Sequence, residues 1–277
     1  MSVVIKIKQG VIKKNINSII KYTNLNYGTS DEYFRLINNK IGNHTLIYDD
    51  KRYARGIEIS LDDNYIILEL SLPTTKEEVN CLYRTTEKIC NKMLTKKFIR
   101  NEEEKTFEDI NDCVIEDIDL CEKALKEICE KLEKNEYIQI FGIFNPISIG
   151  KKEQEIINNN LNNLANYLQN IQSIDAYYSV PKVFNIDDEL IGIYRIKDNI
   201  PTIVPIEPYI ILNRIPNIKE WYVMFNEDNF IKYDNFINNI DTSNYYDANH
   251  VIINISETKI IDLLKKYKEN INIKKDE

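Results

Sequence analysis

Between Ala54 and Lys96 the hydrophobic period changes once, and that change restricts the fold more than any other feature of the chain. ARGIEISL places Ile57, Ile59 and Leu61 on one face and Glu58 and Ser60 on the other, the two-residue period of a half-buried strand. Asp62-Asp63-Asn64 supplies a turn, and YIILELSL (65–72) returns as a strand apolar enough for a central position in a sheet. Pro73 ends it. Thr74 and Thr75, each followed three residues later by glutamate, then form two overlapping capping boxes. Beyond them Val79, Leu82, Tyr83, Thr86, Ile89, Cys90 and Met93 recur at helical spacing. A hairpin followed by an amphipathic helix buries both apolar faces when the helix lies across the sheet, which is the elementary unit of an α+β fold.

The same grammar extends along the chain. VVIKIK (3–8) alternates as a strand, and HTLIYD reads as another. Thr29 to Glu32 fits a capping box and predicts a short helix through Phe34 and Leu36. Val114, Ile118, Cys121, Leu125, Ile128 and Leu132 predict a long helix whose acidic remainder faces solvent. YIQIFGIF (137–144) predicts a strand broken by Asn145-Pro146, and 151–171 predicts one helix. Short strands follow, among them ELIGIYRI, WYVMF and HVIINI, with Ser256 capping a closing helix. Residues 101–112, charged and without period, read as a linker. The expected division is therefore 1–100, a β-rich lobe with one long helix, and 113–277, an α+β lobe. The fold class expected is α+β, with mixed or mostly antiparallel sheets, helices packed on one face, and two lobes. Seven glycines and seven prolines in 277 residues argue against a turn-dense barrel.

Net charge is −8, unevenly spread. Residues 102–136 hold fourteen acids and five lysines, whereas residues 1–55 hold ten bases and four acids. An acidic protein is a poor general partner for nucleic acid, because phosphate contacts need concentrated positive charge. Contact through the basic N-terminal third is the weakest of three functional expectations. Five cysteines without a CxxC argue against a disulfide framework or a zinc ribbon, and Cys121 and Cys129 read as small buried residues on the long helix. Reduced thiols, a strand-like N-terminus and the lack of any apolar run near twenty residues lead to the expectation of a cytoplasmic protein without a membrane span.

The motif search sets further expectations. FGIFNPISIGKK sits between strand and helix, but its glycines are eight apart and no Ser or Thr follows the lysine, so it fails as a phosphate-binding P-loop. No G-x-G-x-x-G occurs. The two histidines, His44 and His250, exclude a three-histidine zinc site, and no local spacing suggests a mixed one. Both read as structural or exposed. The pairs Asp49-Asp50, Asp62-Asp63 and Asp187-Asp188 read as turns, since neighbours on a strand point to opposite faces. No cofactor and no metal are expected.

What remains is the stretch YDDKRYARGIEIS (48–60). If Ile57 points inward, strand parity draws Arg55 to the same side, where it needs a counter-charge; Glu69 on the next strand is the expected one. The functional alternative has Arg52 and Arg55 facing a cleft that holds an anionic ligand, with Tyr53 stacked on it and His44 as acid or base. The eighteen tyrosines, twice the phenylalanine count, include the doublets Tyr177-Tyr178 and Tyr245-Tyr246 in turn-rich segments and agree weakly with a protein interface.

The run LIYDDKRYARGIEIS through DNYIILELSLPTTKEEV, with the helix after it, resembles a family of intracellular proteins of low-GC bacteria, a domain of unknown function spanning most of such a chain. The resemblance implies no activity and carries no catalytic residues. The leading expectation is thus a non-catalytic interaction or binding protein, with a protein partner. The alternative is an enzyme acting on a small anionic molecule around Arg52, Tyr53, Arg55 and His44.

Overall fold

The computed structural model describes residues 1–32, 34–132, 136–186, 188–213, 215, 217–226 and 229–271. The chain divides into two units, Met1–Ser173 and Ile174–Glu277.

In the first unit the described elements run β1 (Ser2–Lys8), α1 (Ile16–Thr23), β2 (Asn26–Ser30), β3 (Leu36–Asn38), β4 (Thr45–Tyr48), β5 (Ile57–Leu61), β6 (Tyr65–Ser71), α2 (Lys76–Lys92), β7 (Lys97–Arg100), β8 (Glu103–Thr106), α3 (Ile110–Leu132), β9 (Tyr137–Phe141), β10 (Pro146–Gly150), α4 (Lys151–Ile157) and α5 (Leu161–Gln172). Eight of the strands form one sheet in the order β3-β2-β4-β5-β6-β1-β7-β8. Every pairing in it is antiparallel. β6 lies inside the sheet between β5 and β1, as its composition predicts, yet its burial alternates strictly, so only one face is covered. Val3, Ile5 and Ile7 of β1 and Ile66, Leu68 and Leu70 of β6 are fully buried on that face. Each such side chain contributes about 1.5–3 kcal/mol by leaving water.

The helix over this face starts where the sequence places it. Thr75 is the N-cap of α2, its side chain accepting from the Glu78 amide at 3.1 Å. Glu78, however, does not complete a capping box with Thr75; its carboxylate is drawn into the sheet-to-helix seam by other donors, described below. α3 packs beside α2 with the expected stripe from Cys121 onward, but rotated by one residue in its first two turns. Cys113, Asp117, Cys121, Leu125, Ile128 and Leu132 are buried, while Val114 and Ile118 are partly exposed. The rotation has an electrostatic cause. Arg100 at the end of β7 is buried, and Asp117 turns inward to meet it at 2.5 Å, also accepting a hydrogen bond from Tyr83 at 2.5 Å. Removing one partner of such a buried pair costs about 3–5 kcal/mol.

Four local expectations are corrected. Residues 101–112 are not a linker: β8 pairs with β7 at the sheet edge, a 3-10 turn (Phe107–Asp109) follows, and α3 begins at Ile110. The lobes therefore part after Ser173 rather than at 101–112. The capping box at Thr29 nucleates no helix; its residues end β2 and enter a turn to β3, with Phe34 in the left-handed region at φ 60°. The single helix expected over 151–171 is two, because Asn158 and Asn159 adopt φ 46° and 52°, a conformation asparagine tolerates better than most residues. Asn145-Pro146 does not simply end a strand but reverses the chain into the β9–β10 hairpin.

The second unit comprises β11 (Tyr177–Tyr178), β12 (Pro181–Ile186), β13 (Glu189–Arg195), β14 (Thr202–Pro205), β15 (Glu220–Asn226), β16 (Asn229–Lys232), α6 (Tyr233–Ile237), β17 (Tyr245–Asp247), β18 (His250–Ile253) and α7 (Glu257–Tyr267). Two four-stranded sheets, β11-β14-β18-β17 and β12-β13-β15-β16, share a core of Val204, Val251, Ile253, Tyr194, Val223 and Ile231, closed by Phe236 and Leu263 from the two helices. Pairs β11–β14 and β13–β15 are parallel. Gly192 is required: a Cβ there would stand 2.2 Å from the Trp221 ring. Both tyrosine doublets lie in short strands, and Asp187 of the third acidic pair lies outside the described residues. Mostly antiparallel sheets with segregated helices make the protein α+β. Among the described residues no helix is long and apolar enough to cross a membrane.

Candidate functional site

Residues 49–56 connect β4 to β5, and side chains from distant elements hold the peptides from Tyr53 to Gly56. The Asp49 carboxylate accepts from the Lys51 amide at 3.0 Å, an Asx turn of the kind the acidic pair predicts. The Tyr53 amide donates to Gln169 at 2.7 Å, and its ring stands edge-on to Phe144 with centroids 4.9 Å apart. The Ala54 carbonyl accepts from Gln172 at 2.8 Å, and the Gln172 carbonyl oxygen accepts from the Ile143 amide at 2.6 Å. The amides of Arg55 and Gly56 both donate to Glu78, at 3.1 and 2.6 Å. Gly56 sits at φ 78°, a conformation that L side chains rarely adopt, which lets two successive amides converge on one carboxylate.

Arg55 is consumed by this architecture. Its Nε donates to the Phe141 carbonyl at 3.0 Å and one Nη to the Leu72 carbonyl at 3.0 Å. Burial draws the guanidinium down to about 10, against which the nearby Glu78 charge pulls it up, so it stays protonated at neutral pH. The counter-charge is thus Glu78, not Glu69. Glu69 shares its face of the sheet with Glu58, directly opposite it, while Arg55 reaches to the face of Ile57. Glu78 is itself 8% exposed, accepts from the Thr74 hydroxyl as well as from the two amides, and is raised by burial above the ordinary carboxylate range.

Arg52 has the opposite environment. Its side chain is 67% exposed and, among the described residues, its one ion pair, to Glu77, is loose at 3.8 Å. It borders two adjoining hollows at the margin between sheet and α2. The larger, about 310 Å³, is lined by Lys51, Arg52 and Arg84, by Glu77 and Glu78, and by Tyr48 and Asp49 over a floor of Ile47, Ile57 and Cys81. The smaller, about 160 Å³, adds Tyr53, Thr75, Asn166 and Gln169. With the Glu78 charge set against Arg55, the remaining charged side chains of the larger hollow are three cations and two acids. Cys81 is 8% exposed and burial pushes its thiol up, so it stands there as an apolar group and not as a thiolate.

His44 does not join this group. It lies on the other face of the sheet, 69% exposed, with Nδ1 3.2 Å from Glu58. Of the four residues singled out in sequence, the structure brings together Arg52 and Tyr53, locks Arg55 into the framework beneath, and leaves His44 apart. Lys51, Arg84, Glu77 and Glu78 were missed. Arg84 and Glu77 carry no local signal, since only the packing of α2 onto the sheet brings them to the loop.

A second polar cluster, in the other unit, was missed altogether. His250, read as a strand-opening residue, is 1% exposed. Its Nδ1 lies 2.7 Å from the fully buried Asp247, which assigns the proton to Nδ1 and leaves Nε2 to accept from Tyr178 at 3.0 Å. The Tyr209 hydroxyl is 3.2 Å from both Nε2 and the Tyr178 hydroxyl. Burial, reinforced by Tyr209 and Asp247, keeps the Tyr178 phenol well above its ordinary value, a neutral donor. The chain Asp247–His250–Tyr178–Tyr209 ties β17, β18 and β11 to the segment after β14. Among the described residues no group of three or more His, Cys, Asp or Glu is placed to hold a metal ion.

A family model described as a domain of unknown function (DUF4299) matches residues 2–263. No curated protein and no solved structure matches the chain.

Proposed function

We propose, for a chain that belongs to the DUF4299 family of domains of unknown function, that it is a non-catalytic binding protein and that the hollow beside Arg52 takes the anionic group of a small ligand. One observation carries this reading. Two arginines three residues apart in one loop have opposite fates: Arg55 is buried and donates from its guanidinium to the carbonyls of Phe141 and Leu72, whereas Arg52 borders both hollows with, among the described residues, one carboxylate at 3.8 Å. A guanidinium with most of its donors free, beside Lys51 and Arg84, matches the fork of a carboxylate or phosphate. Tyr53 lines the smaller hollow beside it.

Calorimetric titration at low salt with inorganic phosphate, phenyl phosphate and benzoate tests the proposal. At least one of these should bind the wild type, and Arg52→Met should weaken it about tenfold or more, the ~1.5–3 kcal/mol of a charge-assisted hydrogen bond. Equal binding by the variant, or none by the wild type, refutes it.

A further inference from the structure

Helices cover one face of the eight-stranded sheet; the other presents the residues between the buried ones. In its centre, Val4 and Lys6 on β1 stand beside Glu69 and Ile67 on β6, all partly exposed. The register sets Val4 opposite Glu69 and Lys6 opposite Ile67. The four therefore form a square with apolar side chains on one diagonal and opposite charges on the other. Glu58 extends the acidic row, lying directly opposite Glu69 across the β5–β6 pair. Two carboxylates facing each other on neighbouring strands repel. Glu58 has His44 at 3.2 Å, but Glu69 and Lys6 make no ion pair among the described residues, even with each other.

This pattern is self-complementary. Lay a second copy on the face by a two-fold axis in the plane of the sheet along the Val4–Ile67 diagonal. Val4 then meets Val4 and Ile67 meets Ile67, while Lys6 of each copy meets Glu69 of the other. The repulsion between Glu58 and Glu69 is relieved by a cation from the facing chain, and the apolar positions lose water together. An isologous contact needs one patch to be its own complement, and this one is. We propose that the open face of the first unit is the interface of a two-fold homodimer, with the Lys6–Glu69 pair exchanged between copies.

Sedimentation equilibrium of the full chain, repeated at low and high salt, tests this together with a charge-reversal set. The wild type should be a dimer at micromolar concentration, weakened by salt. Lys6→Glu and Glu69→Lys should each raise the dimer dissociation constant about tenfold or more by setting like charges together. The double variant, which restores opposite charges across the axis, should recover most of the loss. Circular dichroism checks that each variant is folded, and Ile67→Ser, which keeps the charges, should also weaken the dimer. A wild type that stays monomeric at about 100 μM, single variants that associate like wild type, or a double variant no better than the singles would each overturn the proposal.

Discussion

Replacing Arg55 by methionine should unfold this protein far more readily than the same replacement at Arg52. In the Arg55 variant the carbonyls of Phe141 and Leu72 lose their donors, and Glu78 is left buried without its neighbouring cation. The two hydrogen bonds lost come from a charged donor and contribute about 1.5–3 kcal/mol each. These overlap, so the loss is taken as about 3–5 kcal/mol, against a total stability that for ordinary domains is about 5–15 kcal/mol. Arg52→Met removes one exposed pair at 3.8 Å and should cost less than about 0.5 kcal/mol. The assay is urea unfolding followed by far-ultraviolet circular dichroism. Tryptophan fluorescence is the wrong probe, because the sole tryptophan, Trp221, lies in the second unit. Equal losses for the two variants would refute the division of the loop into a structural and a free arginine.

Three further outcomes follow from buried groups. Glu78 is raised by burial in the folded chain, so the folded state keeps this proton to higher pH than the unfolded state. Its contribution to stability is greatest below its unfolded value near 4.5 and declines as pH rises through the folded value, so the stability advantage of wild type over Glu78→Gln should shrink between pH 4 and pH 7.5 in paired urea titrations. His250→Ala, which removes the buried partner of Asp247 and the acceptor of Tyr178, should destabilise the second unit by more than Tyr178→Phe, for which about 1 kcal/mol is expected, both read from Trp221 fluorescence. Burial pushes Cys90 to about 12 and Cys121 to about 11, and Cys81 and Cys113 are also buried. A thiol reagent at pH 8 should therefore label partly exposed Cys129 quickly and the remaining four only on unfolding, counted by mass spectrometry.

Where periodicity and burial have the same cause, sequence and structure agree. The β5–β6 hairpin, the Thr75 cap of α2 and the Ser256 cap of α7 are determined by neighbours within a few residues. Agreement fails where a distant partner outbids the local signal. Asp117 belongs to the acidic remainder of α3, and nothing near it announces Arg100, so Val114 and Ile118 stand in the reading where Cys113 and Asp117 turn inward, about 100° away, while Cys121, Leu125, Ile128 and Leu132 are buried as expected. Thr29 and Glu32 satisfy the capping pattern, but no apolar helical stripe follows, and pairing of 28–30 with 36–38 is the better use of the backbone. The His250 cluster was invisible because its members are 178, 209, 247 and 250, brought together only by parallel pairing of β11 with β14 and the turn between β17 and β18.

The loop 49–56 shows why charge counting alone could not separate support from site. Its arginines are equivalent in composition, and strand parity even assigned Arg55 correctly to the inner side. What parity could not supply is the peptide anchoring. Gln169, Gln172 and Glu78 hold the peptides of Tyr53, Ala54, Arg55 and Gly56 from three directions. A loop so tethered loses little further freedom when a ligand arrives, and ordering a loop on binding otherwise subtracts from affinity. The arginine that looks idle is therefore presented from a fixed backbone because its neighbour is fully employed. Loosening the support by Gln172→Ala, at a residue that holds the Ala54 carbonyl and lines neither hollow, should weaken binding at Arg52. Unchanged affinity in that variant, measured with whichever anion binds the wild type, would refute the argument that the tethered peptides support the site.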